Sequence, residues 1–258
     1  VHGSILAIAG ILVRIIGMLY RIPVVNIIGS EGNGIYGAAF NIYNIMLVLS
    51  SYGLPMAVSK LVSARFTKKR YKSAAKVLRC SLMVAVCTGG IALLVFFGAS
   101  FIENVIYGGG LPGLAIPLRI LAPTIFLVAI LGVIRGFFQG QSTMIPTAVS
   151  QILEQIVNAI VSIAAGYGMM KAFASSPDVA AYGAAGSTLG TAMGALTAVL
   201  FMGFLYAVYT PTFNRLKRKD RHTENQSTGQ ICKIIIYTMI PIILGQTFYQ
   251  ISALIDDV

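Results

Sequence analysis

The protein has 258 residues, of which 57% are hydrophobic and only 10% are charged, and its mean hydropathy is +0.82. A soluble domain carries roughly 25% charged residues, so this composition excludes a soluble globular enzyme. A formal net charge of +11 is typical of a nucleic-acid-binding protein, but here the basic residues lie in short segments between apolar runs. We therefore expect an integral membrane protein surrounded by membrane lipids, with no nucleic-acid partner.

Apolar runs of helical length follow one another along the whole chain. Each has about 20 residues or more, the length that an α-helix needs to cross a hydrocarbon core of about 30 Å. Glycine and proline residues mark the joints between them. The predicted helices cover residues 4–28, 35–60, 74–106, 116–138, 145–170, 182–209 and 231–258. The predicted fold class is an all-α membrane protein, a six-helix transmembrane bundle with the start of a seventh helix.

The basic residues are concentrated in segments that fall on one side of the membrane if every predicted helix crosses once. These are residues 65–79, the short turn with Arg135, and residues 215–221. Lysine and arginine are enriched in cytoplasmic loops, so we expect a multi-pass protein of the cell membrane with segments 65–79 and 215–221 in the cytoplasm. One missed helix would scatter these charges, so their agreement also supports the number of spans.

Six helices followed by the start of another are the pattern of a transporter built from repeated halves. We expect residues 1–210 to form an N-terminal six-helix lobe and residues 211–230 a basic cytoplasmic loop. Residues 231–258 would then be the first helix of a truncated C-terminal lobe, the rest of which is missing from this sequence.

Two arginines interrupt the first predicted helix. Arg14 and Arg21 are seven residues apart, which puts them on one helix face, two turns from each other. A charge near the bilayer centre costs about 2.5–3.5 kcal/mol on insertion scales, so both require a function or a partner. Two guanidinium groups on one face could attract a phosphate or pyrophosphate in a water-filled cavity. Alternatively, they pair with Glu154 or Glu31 for structural reasons.

The fifth predicted helix carries a polar stripe. Its members recur at spacings of three, four and seven residues and therefore share one face, which turns toward protein or water instead of lipid. They are Gln151, Glu154, Gln155 and Asn158. We expect the three amides to line the cavity with the arginines. Glu154 is a candidate ion or proton site, or else an arginine-paired interhelical group.

Further polar candidates lie in the second and seventh predicted helices. Asn41 and Asn44 accompany Tyr36 and Tyr43, a mixed surface that suits contact with a sugar or head group. Interhelical hydrogen bonds would use the same residues. In the seventh helix, Asp256 could complete an ion site or simply approach the outer surface.

Sequence motifs that carry catalysis are missing. The Gly108–Gly110 run is not followed by Gly-Lys-Ser/Thr and is no phosphate-binding loop. His2 and His222 are isolated, which gives neither a metal constellation nor a catalytic triad. We therefore expect no enzymatic activity, no metal site and no cofactor.

Several motifs together resemble one family of membrane transporters. Their order and spacing are specific, and they extend over nearly the whole chain. They are Val13–Pro23, Ile28–Tyr36, Gly53–Val62, Arg135–Gly140 and Ile145–Gln155. The chain resembles the polysaccharide-transport branch of the multidrug/oligosaccharidyl-lipid/polysaccharide (MOP) exporter superfamily, within the group that includes stage V sporulation protein B and the lipid II flippases.

This resemblance implies a MATE-like fold of two six-helix bundles, of which the chain would supply the N-terminal bundle and the first helix of the next. It implies movement of undecaprenyl-pyrophosphate-linked sugars to the outer leaflet by alternating access, driven by membrane potential or a coupling ion. Arg14 matches a cavity arginine of the family's lipid II flippases by its place before Gly17. Arg21 stands at a different spacing from some of these relatives and is followed by Ile22-Pro23 instead of an acidic residue.

Three other functions remain open on the sequence. A cation-coupled multidrug exporter of the same fold would more naturally have an acidic cavity, unlike this cationic first helix. A non-transporting scaffold for cell-wall or spore-cortex synthesis would depend on its basic loops and tolerate loss of Arg14. A membrane transferase would turn over a nucleotide sugar.

Overall fold

The computed structural model describes residues 2–106, 112–222 and 226–256, with side chains for residues 4–99, 101, 103–104, 112–222 and 226–247. The described chain is helical throughout, without a strand. The helices are α1 His2–Leu47, a π-helical turn Val48–Tyr52, α2 Gly53–Thr67, α3 Tyr71–Phe97, α4 Ala99–Ile106, α5 Ala115–Gln139, α6 Ile145–Ala172, α7 Val179–Lys219 and α8 Thr228–Asp256.

Helix α1 is a hairpin of two arms. Gly29 has φ 72° and ψ −177°, a non-helical conformation that glycine adopts without the steric penalty of a side chain. Arg14 and Asn44 lie on opposite sides of this bend and line the same cleft, so the N-terminal arm (residues 2–28) and the C-terminal arm (residues 30–47) run antiparallel. The two separate spans predicted over 4–28 and 35–60 are therefore confirmed.

Six helical segments of the described chain are long and apolar enough to cross a membrane. The first, Ser4–Thr67, has 64 residues and would be about 96 Å long if straight, roughly three times the hydrocarbon thickness. Because it folds back at Gly29, it supplies two crossings, and the six segments provide the seven predicted spans. The all-α membrane fold is thereby confirmed.

Two predicted boundaries were wrong. The third span, predicted over 74–106, ends at Phe97, and Gly98 separates it from the short helix α4. Residues 211–219, predicted as part of a loop, continue α7 to Lys219. Phe213 is only 1% exposed and stacks on Phe66 and Tyr209 with ring centroids 6.1 and 5.9 Å apart. This burial stabilises the helical extension beyond Pro211, whose missing N–H removes only one helical hydrogen bond.

A row of glycines lets α6 and α7 pack closely. Gly186, Gly190 and Gly194 step by four along α7, and a Cβ atom at any of them would overlap α6. At Gly190 that atom would lie 2.5 Å from the carbonyl oxygen of Asn158, and at Gly194 it would lie 2.6 Å from that of Glu154. Such rows of small residues are typical of tight helix contacts in membranes.

The two main basic segments meet at one end of the bundle. Arg65 Nη2 donates to Gln226 Oε1 at 3.1 Å, and the backbone N–H of Lys72 donates to Asp220 Oδ2 at 2.8 Å. The end of α2 and the start of α3 therefore touch the linker after α7. The charges of residues 65–79 and 215–221 lie mostly on these helix ends, because the joint between α2 and α3 comprises only residues 68–70.

Asp220 holds this end of the bundle together by capping α3 from the end of α7. Burial alone would raise the pKa of Asp220, but hydrogen bonds from the backbone N–H groups of Lys72 and His222 and from the His222 ring hold that pKa below its ordinary value. A carboxyl whose pKa is lowered by folding stabilises the fold above its unfolded pKa and loses that contribution as the pH falls through the folded value. The contribution is therefore complete throughout the neutral range.

We expect Asp220→Ala to lower the free energy of unfolding by about 1 kcal/mol, the usual size of a helix N-cap contribution. The loss should be equal at pH 8 and pH 9, because the Asp220 carboxyl group is ionised at both values and a histidine such as His222 ordinarily changes its charge below pH 8. Thermal unfolding of the purified full-length protein at the two pH values measures it. A loss that differs between the two pH values would contradict the assignment of the effect to the Asp220 carboxylate.

Candidate functional site

A cleft opens between the two arms of α1. It has a volume of about 530 Å³, and the described residues that line it all belong to α1: Arg14, Gly17, Met18, Tyr20, Arg21, Tyr36, Gly37, Phe40, Asn41 and Asn44. We call this the α1 cleft. Both predicted arginines and both predicted asparagines of the second span therefore come together, because the bend at Gly29 brings the two arms side by side.

The arginines of the α1 cleft are exposed cations. At 1.5 Å per residue, Arg21 lies about 12 Å and Arg14 about 22 Å from the bend at Gly29. Among the residues whose side chains are described, neither guanidinium forms an ion pair, although Glu31 and Glu154 are both included. The structural pairing that the sequence left open for Arg14 is thus not found there. Both guanidinium groups could therefore bind an anion at the α1 cleft.

Three aromatic rings also line the cleft, and two of them were not among the residues predicted from the sequence. Tyr20 and Phe40 line the cleft with Tyr36, and the rings of Tyr36 and Phe40 lie 4.6 Å apart between centroids. The spacing of four residues between Tyr36 and Phe40, which puts them on one helix face, was the available signal. The wall thus combines cations, amides and ring faces.

Two amides of α6, those of Gln155 and Asn158, approach residues of the N-terminal arm of α1. A Cβ atom at Gly17 would lie 3.2 Å from Gln155 Nε2, so the glycine between the two arginines lets this amide approach the N-terminal arm. Asn158 is buried and donates from Nδ2 to the Tyr20 hydroxyl at 3.3 Å. Gln151 is half-buried one turn from Gln155. The described wall of the α1 cleft contains none of these three amides, and their place in the cavity beside Arg14 stays a prediction.

Glu154 has an arginine partner, but not one from α1. Its Oε2 lies 2.7 Å from Arg135 Nη2, and Arg135 Nε donates to Ser150 Oγ at 2.9 Å. Arg135, predicted as a loop charge, lies inside α5 with its side chain 13% exposed. This geometry favours the interhelical interpretation of Glu154 over an open ion site. The other ion candidate, Asp256, lies outside the residues whose side chains are described.

The Arg135–Glu154 pair yields a prediction about stability. Removing one partner of a buried pair leaves an uncompensated charge, so we expect Glu154→Gln to lower the free energy of unfolding by about 2 kcal/mol, less than for a fully buried pair. The double variant Arg135→Gln/Glu154→Gln should recover part of that loss. Thermal unfolding of the two variants and the parent measures it; a double variant less stable than Glu154→Gln would contradict the ion-pair account.

Comparison with known proteins identifies the family. Residues 2–257 match the family described as polysaccharide biosynthesis protein. The chain belongs to this family. Within the MOP superfamily it falls in the polysaccharide-transport branch, as the motifs predict.

Two curated relatives of this family come from Bacillus subtilis (strain 168). The chain is 35% identical to the lipid II flippase MurJ over 62% of its own length and 31% of the relative's. It is 30% identical to stage V sporulation protein B over 77% of its own length and 37% of the relative's. The chain thus spans less than half the length of these two relatives.

The fold of the family is also seen in solved structures. A multidrug resistance MATE family transporter of the MOP superfamily, solved in an outward-facing conformation, matches with a TM-score of 0.73 at 18% identity. The match covers 97% of this chain and 53% of that transporter. At this identity the likeness establishes the fold, which is MATE-like as expected.

Proposed function

We propose that this protein is part of a flippase that moves an undecaprenyl-pyrophosphate-linked oligosaccharide or cell-wall precursor to the outer leaflet by alternating access. The observation that carries the proposal is the α1 cleft, where Arg14 and Arg21 offer two guanidinium groups beside Asn41 and Asn44. Membership of a polysaccharide biosynthesis family and the names of the two curated relatives agree with such a substrate.

The chemistry of the α1 cleft suits a pyrophosphate. Taking this anion out of water is expensive unless cations and hydrogen-bond donors replace its hydration. A guanidinium group binds phosphate oxygens in a bidentate, charge-assisted geometry. Arg14 and Arg21, about 10 Å apart along the helix, can both reach toward one head group. The amides and the rings of Tyr36 and Phe40 are suitable partners for the hydroxyl groups and faces of a sugar.

The outer surface of the same arm suits the lipid tail. Ile11, Leu19 and Ile22 are 59%, 63% and 64% exposed and lie on the arm that carries the two arginines. A polyprenyl chain can therefore stay in contact with apolar side chains and the bilayer while the head group enters the cleft. Because only the head group enters the cleft, the protein needs no cavity large enough to enclose the whole substrate.

In this proposal residues 1–210 and the extension of α7 form one lobe, α8 begins a second lobe, and rocking of the lobes exposes the cleft to each side in turn. The basic end of the bundle, with segments 65–79 and 215–221, faces the cytoplasm. Membrane potential or an ion drives the cycle. Asp256 is retained as a coupling candidate, whereas Glu154 would have to release Arg135 to take part.

A cation-coupled multidrug exporter is the competing function in the same fold. A cavity for cationic drugs favours carboxylates, and the described wall of the α1 cleft contains two arginines and no Asp or Glu. Glu154, the carboxylate of the polar stripe on α6, is paired with Arg135. The charge of the site therefore favours an anionic substrate.

Reconstitution of the full-length protein in liposomes tests the proposal. A fluorescent undecaprenyl-pyrophosphate-linked sugar placed in both leaflets should become fully accessible to an external quencher, and an undecaprenol-linked sugar without phosphate should not. Uptake or release of a cationic dye serves as the test for drug export. Dye transport without movement of the pyrophosphate lipid would overturn the proposal.

A further inference from the structure

A second cationic hollow lies at the basic end of the bundle, away from α1. It has a volume of about 420 Å³ between α3, α7 and the start of α8. We call it the basic pocket. Its lining consists of Lys72, Ala75, Lys76, Arg79, Cys80, Met83, Lys217 and Thr228. It shares no residue with the α1 cleft, and the proposed flippase function makes no use of it.

The charges of the basic pocket converge from more than one helix. Lys72, Lys76 and Arg79 lie on one face of α3 at spacings of four and three residues. Lys217 reaches in from α7 with its Nζ 5.3 Å from the centre of the Phe213 ring, and Lys76 Nζ donates to the carbonyl oxygen of Gln226. Among the residues whose side chains are described, the lining includes no Asp or Glu. Such a pocket favours binding of a negatively charged group.

The start of α8 adds to this attraction. Thr228 is the first residue of this helix and lines the pocket, so the positive end of the helix dipole lies beside the cations. The nearby carboxylate, Asp220, is already occupied by hydrogen bonds from the N–H groups of Lys72 and His222. Asp220 is buried, with 1% of its side chain exposed, and its single negative charge offsets only one of the four cations that line the pocket, Lys72, Lys76, Arg79 and Lys217.

The basic pocket continues into an apolar groove. Met83 lines both the pocket and a second hollow of about 400 Å³ between α3, α8 and the π-helical turn. We call this second hollow the α3–α8 groove; its other lining residues are Leu49, Val84, Cys87, Thr88, Cys232, Ile236, Met239, Ile240 and Ile243. It runs from the charged helix ends into the membrane-spanning part of α3. A cationic site at the interface and an apolar channel below it therefore meet at one residue.

We propose that the basic pocket and the α3–α8 groove together bind one anionic glycerophospholipid, with its phosphate in the pocket and an acyl chain in the groove. The order of the two hollows matches the order of head group and chain in a bilayer leaflet. Basic pockets between membrane helices bind anionic head groups, and the adjoining groove accounts for the rest of the molecule. Nonspecific attraction of anions to a positive surface would require neither the meeting of three helices at the pocket nor the adjoining groove.

Binding of defined phospholipids to the delipidated full-length protein tests this site. Phosphatidylglycerol and phosphatidylcholine with identical acyl chains are added in detergent, and bound lipid is counted by native mass spectrometry. We expect phosphatidylglycerol to bind about tenfold more tightly than phosphatidylcholine. Equal retention of the two lipids would overturn the proposal. This readout does not depend on transport, so its failure leaves the flippase proposal standing.

Two double variants distinguish a defined binding site from nonspecific attraction by the positive charge at this end of the bundle. Lys72→Gln/Arg79→Gln removes two exposed cations of the pocket, and we expect phosphatidylglycerol binding to weaken by about tenfold. Arg215→Gln/Arg218→Gln removes two exposed cations of α7 outside the pocket and should leave binding unchanged. An equal loss in the two double variants would contradict a defined site.

Binding of the acyl chain in the α3–α8 groove can be tested separately. Cys87 is exposed in the α3–α8 groove, and Cys87→Phe should weaken phosphatidylglycerol binding while every pocket charge is kept. Inorganic phosphate serves as a head-group probe without a chain, and we expect it to leave thermal stability unchanged where phosphatidylglycerol raises it. Stabilisation by phosphate equal to that by phosphatidylglycerol, or unchanged binding in Cys87→Phe, would overturn the lipid assignment.

Discussion

Arg14→Ala is expected to reduce delivery of the undecaprenyl-linked precursor to the outer leaflet by about tenfold or more. A hydrogen bond to a charged group contributes about 1.5–3 kcal/mol, and the guanidinium of Arg14, which forms no ion pair among the described side chains, lines the α1 cleft. Arg14→Lys should retain part of the activity, because it keeps the charge but loses the planar fork. Leaflet accessibility of the precursor in cells that depend on the full-length protein measures the loss.

Lys171→Ala is the matched control for this charge removal. Lys171 is an exposed cation near the end of α6 and lies outside the α1 cleft. Its removal should leave precursor delivery unchanged at equal expression. If Arg14→Ala and Lys171→Ala are both fully active, the arginine is structural and the cleft does not bind the head group.

Gly190→Ala is expected to lower the free energy of unfolding by about 3 kcal/mol, at the upper end of the usual range for overpacking. The added Cβ atom would overlap Ser162 Oγ and lie 2.5 Å from the carbonyl oxygen of Asn158. These are backbone and buried polar groups of α6, so relief requires the two helices to separate. Asn158 would then move away from Tyr20, to which it is hydrogen-bonded.

Gly203→Ala provides the matched comparison on the same helix. A Cβ atom at Gly203 would have no neighbour within 4 Å, so the variant should be at least as stable as the parent, since alanine favours helix by about 1 kcal/mol over glycine. Thermal unfolding of the purified full-length protein measures both variants. A Gly190→Ala protein as stable as Gly203→Ala would contradict the close packing of α6 on α7.

The spans and the arginine site were predictable from the sequence because each has a local signal. Hydrophobic length identifies a membrane helix, Gly29 lies at the joint between two apolar runs, and a spacing of seven places Arg14 and Arg21 on one face. The helical hairpin then brings Asn41 and Asn44 to the same cleft. These features depend on residues close together in the chain.

The features that the sequence left open or placed wrongly here depend on contacts between distant residues. Pro211 is a reasonable signal for a helix end, but the packing of Phe213 against Phe66 extends α7 to Lys219. Glu154 and Arg135 are 19 residues apart, on different helices, and no local spacing indicates their pairing. Such tertiary contacts override local propensity.

Photo-cross-linking from the α1 cleft is the most direct test of the central claim that this cleft binds the pyrophosphate head group. A photoreactive amino acid at Met18, which lines the cleft and is 64% exposed, is compared with one at Leu200, which is 65% exposed on α7. We predict that only the first captures a radiolabelled undecaprenyl-pyrophosphate-linked precursor, and that Arg14→Ala abolishes the capture. Equal capture at the two positions, or capture that survives Arg14→Ala undiminished, would contradict the account.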